Sequence, residues 1–173
     1  MDIRAALANG HSKELSERIA RYVGDDPERF GVLMEVLRNG TPELVQRAAW
    51  CVGMVCVEHP ELATPWVGSM LDLLDRPMHA AVHRNIIRTF QFCELPEVLH
   101  GRLTDVMFAW INDATRAIAC RAFAITVALR LAKLYPDLGR ELRSILELVL
   151  RDDPGPAIRS RGGKALRSLG FSR

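Results

Sequence analysis

VQRAAW (residues 45–50), VHRNII (82–87) and ACRAFA (119–124) each set one arginine in a mostly apolar stretch, and Arg47, Arg84 and Arg121 stand 37 residues apart. A cation returning at a fixed interval inside apolar sequence marks the same place in a repeated structural unit. A second series runs between these stretches. Pro27-Glu28, Pro60-Glu61, Pro96-Glu97 and Pro136-Asp137 recur at spacings of 33, 36 and 40 residues, each ahead of an apolar-periodic segment. Proline at the first helical position sacrifices no hydrogen bond, and an acid beside it meets the positive end of the helix dipole. The pattern predicts helices opening at these four prolines: PERFGVLMEVLRNG, PELATPWVGSMLDLLDR, PEVLHGRLTDVMFAWIND and PDLGRELRSILELVLRDD. Each closes in a turn rich in Asn, Asp, Gly or Pro.

The arginine-bearing segments fall between them, at residues 42–58, 78–93, 115–134 and 156–169. Two helices per period of roughly 33 to 47 residues is the pattern of a helical solenoid, in which a pair buries its apolar face only by stacking on its neighbours. The expected fold is an all-α, right-handed α-α superhelix of about four to five helical pairs. It forms a single domain over residues 1–173, with units at 1–24, 25–58, 59–93, 94–134 and 135–173. HSKELSERIARYV (11–23), after the Asn9-Gly10 break, reads as the arginine helix of an incomplete first unit. AIRSRGGKALRSLG (157–170) repeats the arginine at position 161 but places two glycines at otherwise apolar positions, as an atypical terminal unit would.

Composition narrows the class. A chain of 173 residues with 49% apolar content has ample material for a core. Its 23 Lys and Arg against 21 Asp and Glu argue neither for a dedicated nucleic-acid binder nor for an acidic disordered chain. The N-terminal stretch reads as folded helical protein rather than a signal peptide, and no run of about 18 uncharged apolar residues marks a membrane span. Cys51, Cys56, Cys93 and Cys120 lack any CxxC spacing and sit in apolar runs, as buried thiols of a reducing compartment do; a cytoplasmic location is the expectation.

The alternation of a proline-acid helix, a turn carrying Asn39, Asp75, Asp113 or Asp153, and a helix with an arginine eight or nine residues later resembles the HEAT and armadillo repeat class over nearly the whole chain. In that class the turn acid and the second-helix arginine form a ladder along the stack. The resemblance thus implies a structural ladder of Arg47, Arg121, Asp113 and Asp153. QRAAW, HPEL, VHRN, LHG and IRSRGGKAL are also similar to landmarks of small bacterial HEAT-like proteins often labelled adenylosuccinate lyase. That activity is not expected here, because the chain has no stretch like the GSSxMPxKxN loop that such lyases carry.

Other chemistry finds little support. His79 and His83 stand four apart, a spacing that can hold zinc on one helical face, but the glutamate of an HExxH site is replaced by Ala80. Cys56 and Cys93 each follow a repeat arginine by nine residues, which points to equivalent core contacts. Gly162-Gly163-Lys164 lacks the upstream glycine of a phosphate loop. No metal or cofactor is expected.

What remains is a surface. Second helices of successive units usually line one side of a solenoid. The expected interaction surface comprises Arg84, Arg88, Asn85, His83 and Gln91 on the most polar arginine helix, with Arg161, Lys164 and an anchoring Trp66. Arg47 and Arg121, in strongly apolar runs, are expected to satisfy internal carboxylates or carbonyls. Residues 151–173 carry six cations against Asp152 and Asp153, a basic end suited to an acidic segment or phosphates. The expected role is a non-enzymatic protein-interaction scaffold with an unidentified protein partner. The alternative is nucleic-acid binding through a basic groove, of the kind HEAT-like DNA glycosylases use.

Overall fold

In the computed structural model, which describes residues 1–152 and 155–170, the chain is all-α, with ten α-helices and no strand among the described residues. Two compact units divide it, Met1–Pro96 and Glu97–Arg173.

The first unit holds α1 (Ile3–Asn9), α2 (Lys13–Val23), α3 (Pro27–Asn39), α4 (Pro42–Glu58), α5 (Val67–Leu74) and α6 (Ala80–Thr89). Local sequence sets their starts. Asp2, Ser12 and Asp26 accept hydrogen bonds from backbone N–H groups of the first turns of α1, α2 and α3, and His79 Nδ1 accepts from Ala81 N. These side chains satisfy donors that have no partner within the helix. Gly24 ends α2 at φ 53°, a left-handed conformation that favours glycine. The helix α1 supplies the first member of a pair that the sequence reading left incomplete.

Not every proline opens an α-helix. Pro27 does, but Pro60 opens a 3-10 stretch, Pro60–Trp66, and α5 begins only at Val67. Pro65 explains the delay: it has no N–H for an α-helical bond and crowds Thr64 out of regular helix. Likewise, a 3-10 turn at Glu97–Leu99 follows Pro96 before the α-helix starts at His100.

Two layers result. The helices α1 and α3, the 3-10 stretch and α5 follow one another in the first, while α2, α4 and α6 lie side by side in the second. The centre is α4, which packs against α2, α3 and α6. Its Val45, Ala48, Cys51, Val52, Val55 and Cys56 are buried, and small residues let the neighbours come close. A Cβ added at Gly53 would stand 3.1 Å from Asn85 Oδ1 of α6. Phe30, Leu33, Met34 and Leu37 of α3 are fully buried against this layer, each worth roughly 1.5–3 kcal/mol of apolar transfer.

The second unit repeats the plan with α7 (His100–Asn112), α8 (Ile118–Ala132), α9 (Pro136–Arg151) and α10 (Pro156–Ser168). The helix α8 is central, packing on α7, α9 and α10, and α7 also meets α9. Apolar nearly all round, α8 buries Cys120, Ala122, Ala124, Ile125, Val127 and Ala128. Close packing recurs at Gly162 of α10, where a Cβ would stand 3.3 Å from the Leu150 methyls of α9.

Candidate interaction surface

The four repeated arginines have four different environments. Arg47, half-buried on α4, donates from Nη1 to the carbonyl oxygens of Leu7 at 2.7 Å and Ala8 at 3.3 Å, the last turn of α1. Arg121, 8% exposed on α8, donates from Nε and Nη2 to the Ile111 carbonyl at 3.1 and 2.9 Å. Both guanidinium groups meet the carbonyl-rich, partly negative end of a helix, where a cation is favoured. Arg161 on α10 reaches the Thr126 hydroxyl of α8 and lies over the Phe123 ring, its carbon 4.8 Å from the centroid. Partial burial lowers the pKa of Arg161 from the usual arginine value. Arg84 on α6 is exposed.

The turn acids do other work. Asp113 accepts from the backbone N–H and hydroxyl of Thr115 at 2.9 and 2.6 Å and pairs with Arg116 at 3.2 Å. Its carboxyl is held below the usual range, first by the Thr115 hydrogen bonds and then by Arg116. Arg116 in turn lies over the Trp110 ring, 4.0 Å from its centroid. The ladder expected between turn acid and repeat arginine therefore takes another form in this hairpin: the acid folds its own turn, and Arg121 holds a carbonyl. Asp153 lies outside the described residues.

Two residues assigned to the contact surface lie elsewhere. His83 and Asn85 of α6 are 6% and 3% exposed. His83 Nε2 stands 3.1 Å from the Arg76 carbonyl, tying α6 to the turn before it, and Asn85 donates to Ala81 O while its side chain fills the space left by Gly53. Each flanks Arg84, so the helical rotation that brings Arg84 to water turns both inward. The two histidines separated by four residues have distinct tasks, His79 at the N-cap of α6 and His83 at the Arg76 carbonyl. Among the described residues, no three His, Cys, Asp or Glu side chains are grouped to hold a metal ion.

The water-facing side of α6 includes Ala81, Arg84 and Arg88, at successive spacings of three and four, and Gln91 follows in the turn just past the helix end. Arg88 and Gln91 are half-buried, and Gln91 donates to the Arg88 carbonyl at 3.2 Å. On α4 the corresponding stripe is Arg47, Trp50 and Met54, with His11 edge-on to Trp50 at 5.3 Å between ring centroids. Trp50 and Met54 were not among the expected surface residues; the signal was their spacing of three and seven from Arg47, which shares their side of the helix. Trp66 belongs to the other layer: it is half-buried in the 3-10 stretch, its Cζ2 3.8 Å from a Cβ built on Gly31.

In the second unit, Lys164 is exposed and Arg161 half-buried on α10, beside Phe123 and Thr126 of α8. A separate hollow of about 490 Å³ lies where α8 and α10 end and α9 begins, lined by Lys133, Pro136, Gly139, Arg140 and Leu169 among others. Arg140 pairs there with Asp137.

Cys51, Cys56, Cys93 and Cys120 are all buried, and none of them forms a disulfide. Burial pushes the Cys51 thiol up to about 11 and the Cys56 thiol up to about 12, the latter helped by neighbouring Cys93. Among the described residues, no helix is long and apolar enough to cross a membrane.

No curated protein and no solved structure matches the chain. A family profile described as the HEAT repeat domain matches residues 3–168, spanning every helix from α1 to α10. The layered helical pairs and this match agree, and the chain belongs to the HEAT repeat family.

Proposed function

We propose that the protein is a non-enzymatic binding scaffold that holds a protein partner against the second-layer helices of its first unit, with Arg84 and Arg88 of α6 at the centre of contact. The observation that carries this reading is the unequal use of the repeated arginines. Arg47, Arg121 and Arg161 are engaged with acceptors inside the fold, whereas Arg84 occupies the same register and faces water. No carboxylate lies on α6 itself to neutralise it. A guanidinium offers planar, bidentate hydrogen bonding and is enriched at the centres of protein interfaces. Trp50 and Met54 on the adjoining α4 supply the aromatic and adaptable apolar area that such contacts use.

The side chains with catalytic potential support the non-enzymatic part. The thiols of Cys51 and Cys56 are protonated at neutral pH, and His79 and His83 are occupied by backbone groups. Buried cysteines outside any disulfide fit a reducing, cytoplasmic setting.

The test is affinity capture from nuclease-treated and untreated extract of the source cells, comparing wild type with an Arg84→Glu, Arg88→Glu variant. The reading predicts defined proteins that resist nuclease and disappear with the variant. Retention of nucleic acid alone, or of the same proteins by both forms, contradicts it.

A further inference from the structure

Helices α8 and α10 contain no aspartate or glutamate, yet they carry Arg121, Arg130, Arg159, Arg161, Lys164 and Arg167. The described acids of residues 97–170 lie on α7, on α9, in the 3-10 turn or in connections. The carboxylates are thus kept off α8 and α10, whereas arginines occur in both layers, with Arg102 on α7 and Arg140, Arg143 and Arg151 on α9. Random scatter of eight acids over residues 97–173 gives no reason for that division.

The same two helices share a seam. On α8, Ala119, Phe123, Thr126 and Arg130 are half-buried at spacings of four, three and four. On α10, Ala157, Arg161, Lys164 and Ser168 follow the same spacings and remain open to water to different degrees. Arg161 crosses between them, over the Phe123 ring and against the Thr126 hydroxyl. Beside this stripe, Arg167 is exposed, with Nη1 3.5 Å from where a Cβ of Gly163 would be, and Ser160 and Gly163 keep the α10 surface low. The seam therefore has an aromatic floor, cations along one wall and little side-chain bulk above it.

We propose that the α8–α10 seam of the second unit seats an acidic amphipathic helix of a partner protein. Its carboxylates meet the exposed Lys164 and Arg167, and its apolar side chains rest on the Ala119–Phe123 side of the seam. Charge complementarity selects the acid, because no carboxylate of either helix competes for these cations. The half-buried Phe123 selects a protein segment over a phosphate backbone, which offers it no apolar surface. A duplex also needs a broad positive footprint, whereas this one is a single stripe on a chain of formal charge +2. This surface is separate from Arg84 on α6, and either assignment can fail alone.

The test is fluorescence anisotropy with the whole protein and a labelled synthetic helix, glutamate-rich with leucines along one face. A scrambled peptide of equal composition and a short DNA duplex serve as competitors. The proposal expects salt-sensitive binding of the amphipathic peptide. The affinity should fall at least about tenfold in Lys164→Glu, Arg167→Glu. Phe123→Ser should erase the preference over the scrambled peptide, while Arg84→Glu leaves binding unchanged. Both charge-reversed positions are exposed, so unchanged circular dichroism and thermal midpoint are expected to show a folded variant. Absent binding, equal binding of the scrambled peptide, tighter binding of the duplex, or full affinity in the charge-reversed variant overturns the proposal.

Discussion

Arg121 donates twice to one acceptor, the Ile111 carbonyl oxygen, at 3.1 Å from Nε and 2.9 Å from Nη2, and thereby locks the second helix of its hairpin to the last turn of the first. Arg121 is 8% exposed and the carbonyl belongs to a helix end, so each leaves the other unsatisfied if removed. Arg121→Ala is expected to lower stability by about 2–3 kcal/mol in urea denaturation, and Arg121→Lys by roughly half of that, since an ammonium cannot fork onto the same oxygen. A loss under about 0.5 kcal/mol for the alanine variant contradicts a structural role.

The approach of α4 to α6 depends on the missing side chain at Gly53. A Cβ there would meet Asn85 Oδ1 at 3.1 Å, close enough that Asn85 must shift and strain its bond to Ala81 O. Gly53→Ala is expected to destabilise the protein by about 1 kcal/mol despite alanine's better helix propensity, and Gly53→Leu by about 3 kcal/mol. In a double-mutant cycle, Asn85→Ala should relieve part of the Gly53→Ala penalty; strict additivity would show that the two side chains do not compete.

Thiol reactivity gives a measurement with a definite sign. Burial raises the Cys56 thiol from an ordinary 9.0 to about 12 and Cys51 to about 11. The folded state therefore keeps protons that the unfolded chain releases. The contribution of these thiols to stability is full below about pH 8 and declines as pH rises through 9 towards 12. Native protein at pH 8 should leave both thiols unmodified by a thiol-disulfide reagent until it unfolds; rapid labelling of either under native conditions would contradict their burial.

Arg84 provides the contrast to Arg121. As an exposed side chain, it should tolerate Arg84→Ala with a change in unfolding free energy within about 0.5 kcal/mol. Arg47→Ala, which frees the carbonyls of Leu7 and Ala8, should lose about 1–2 kcal/mol and fray α1 first, seen as faster amide exchange over Ile3–Asn9. Equal losses for the two variants would mean that the repeat arginines are interchangeable.

How far the sequence could be read follows from which forces are local. The helices α3, α4 and α9 begin at Pro27, Pro42 and Pro136, each with an acid in its first turn, and α10 begins at Pro156 without one; these cues act within one turn, so their signal survives without tertiary information. The 37-residue return of arginine marked the second-layer helices for the same reason. Pro65 was present in the sequence as a break within the second proline segment, yet its effect, a 3-10 stretch that delays the α-helix to Val67, shows only in the structure. Partners were the illegible part. His83 and Asn85 look like surface polar residues beside Arg84, and only the close contact at Gly53 and the carbonyl of Arg76 show why they turn inward. Likewise, an eight-residue spacing from Asp113 to Arg121 invites an ion pair, but Thr115 and Arg116 lie nearer in sequence and take the carboxylate first.

The most direct measurement is site-specific photocrosslinking in the source cells with a benzophenone amino acid at position 84, compared with the same probe at Arg38, an exposed position near the end of α3 in the other layer. The account predicts discrete protein adducts from position 84 that are absent from position 38. Adducts of equal kind from both positions, or none from position 84 in folded protein, would contradict the assignment of the α6 face as the binding surface.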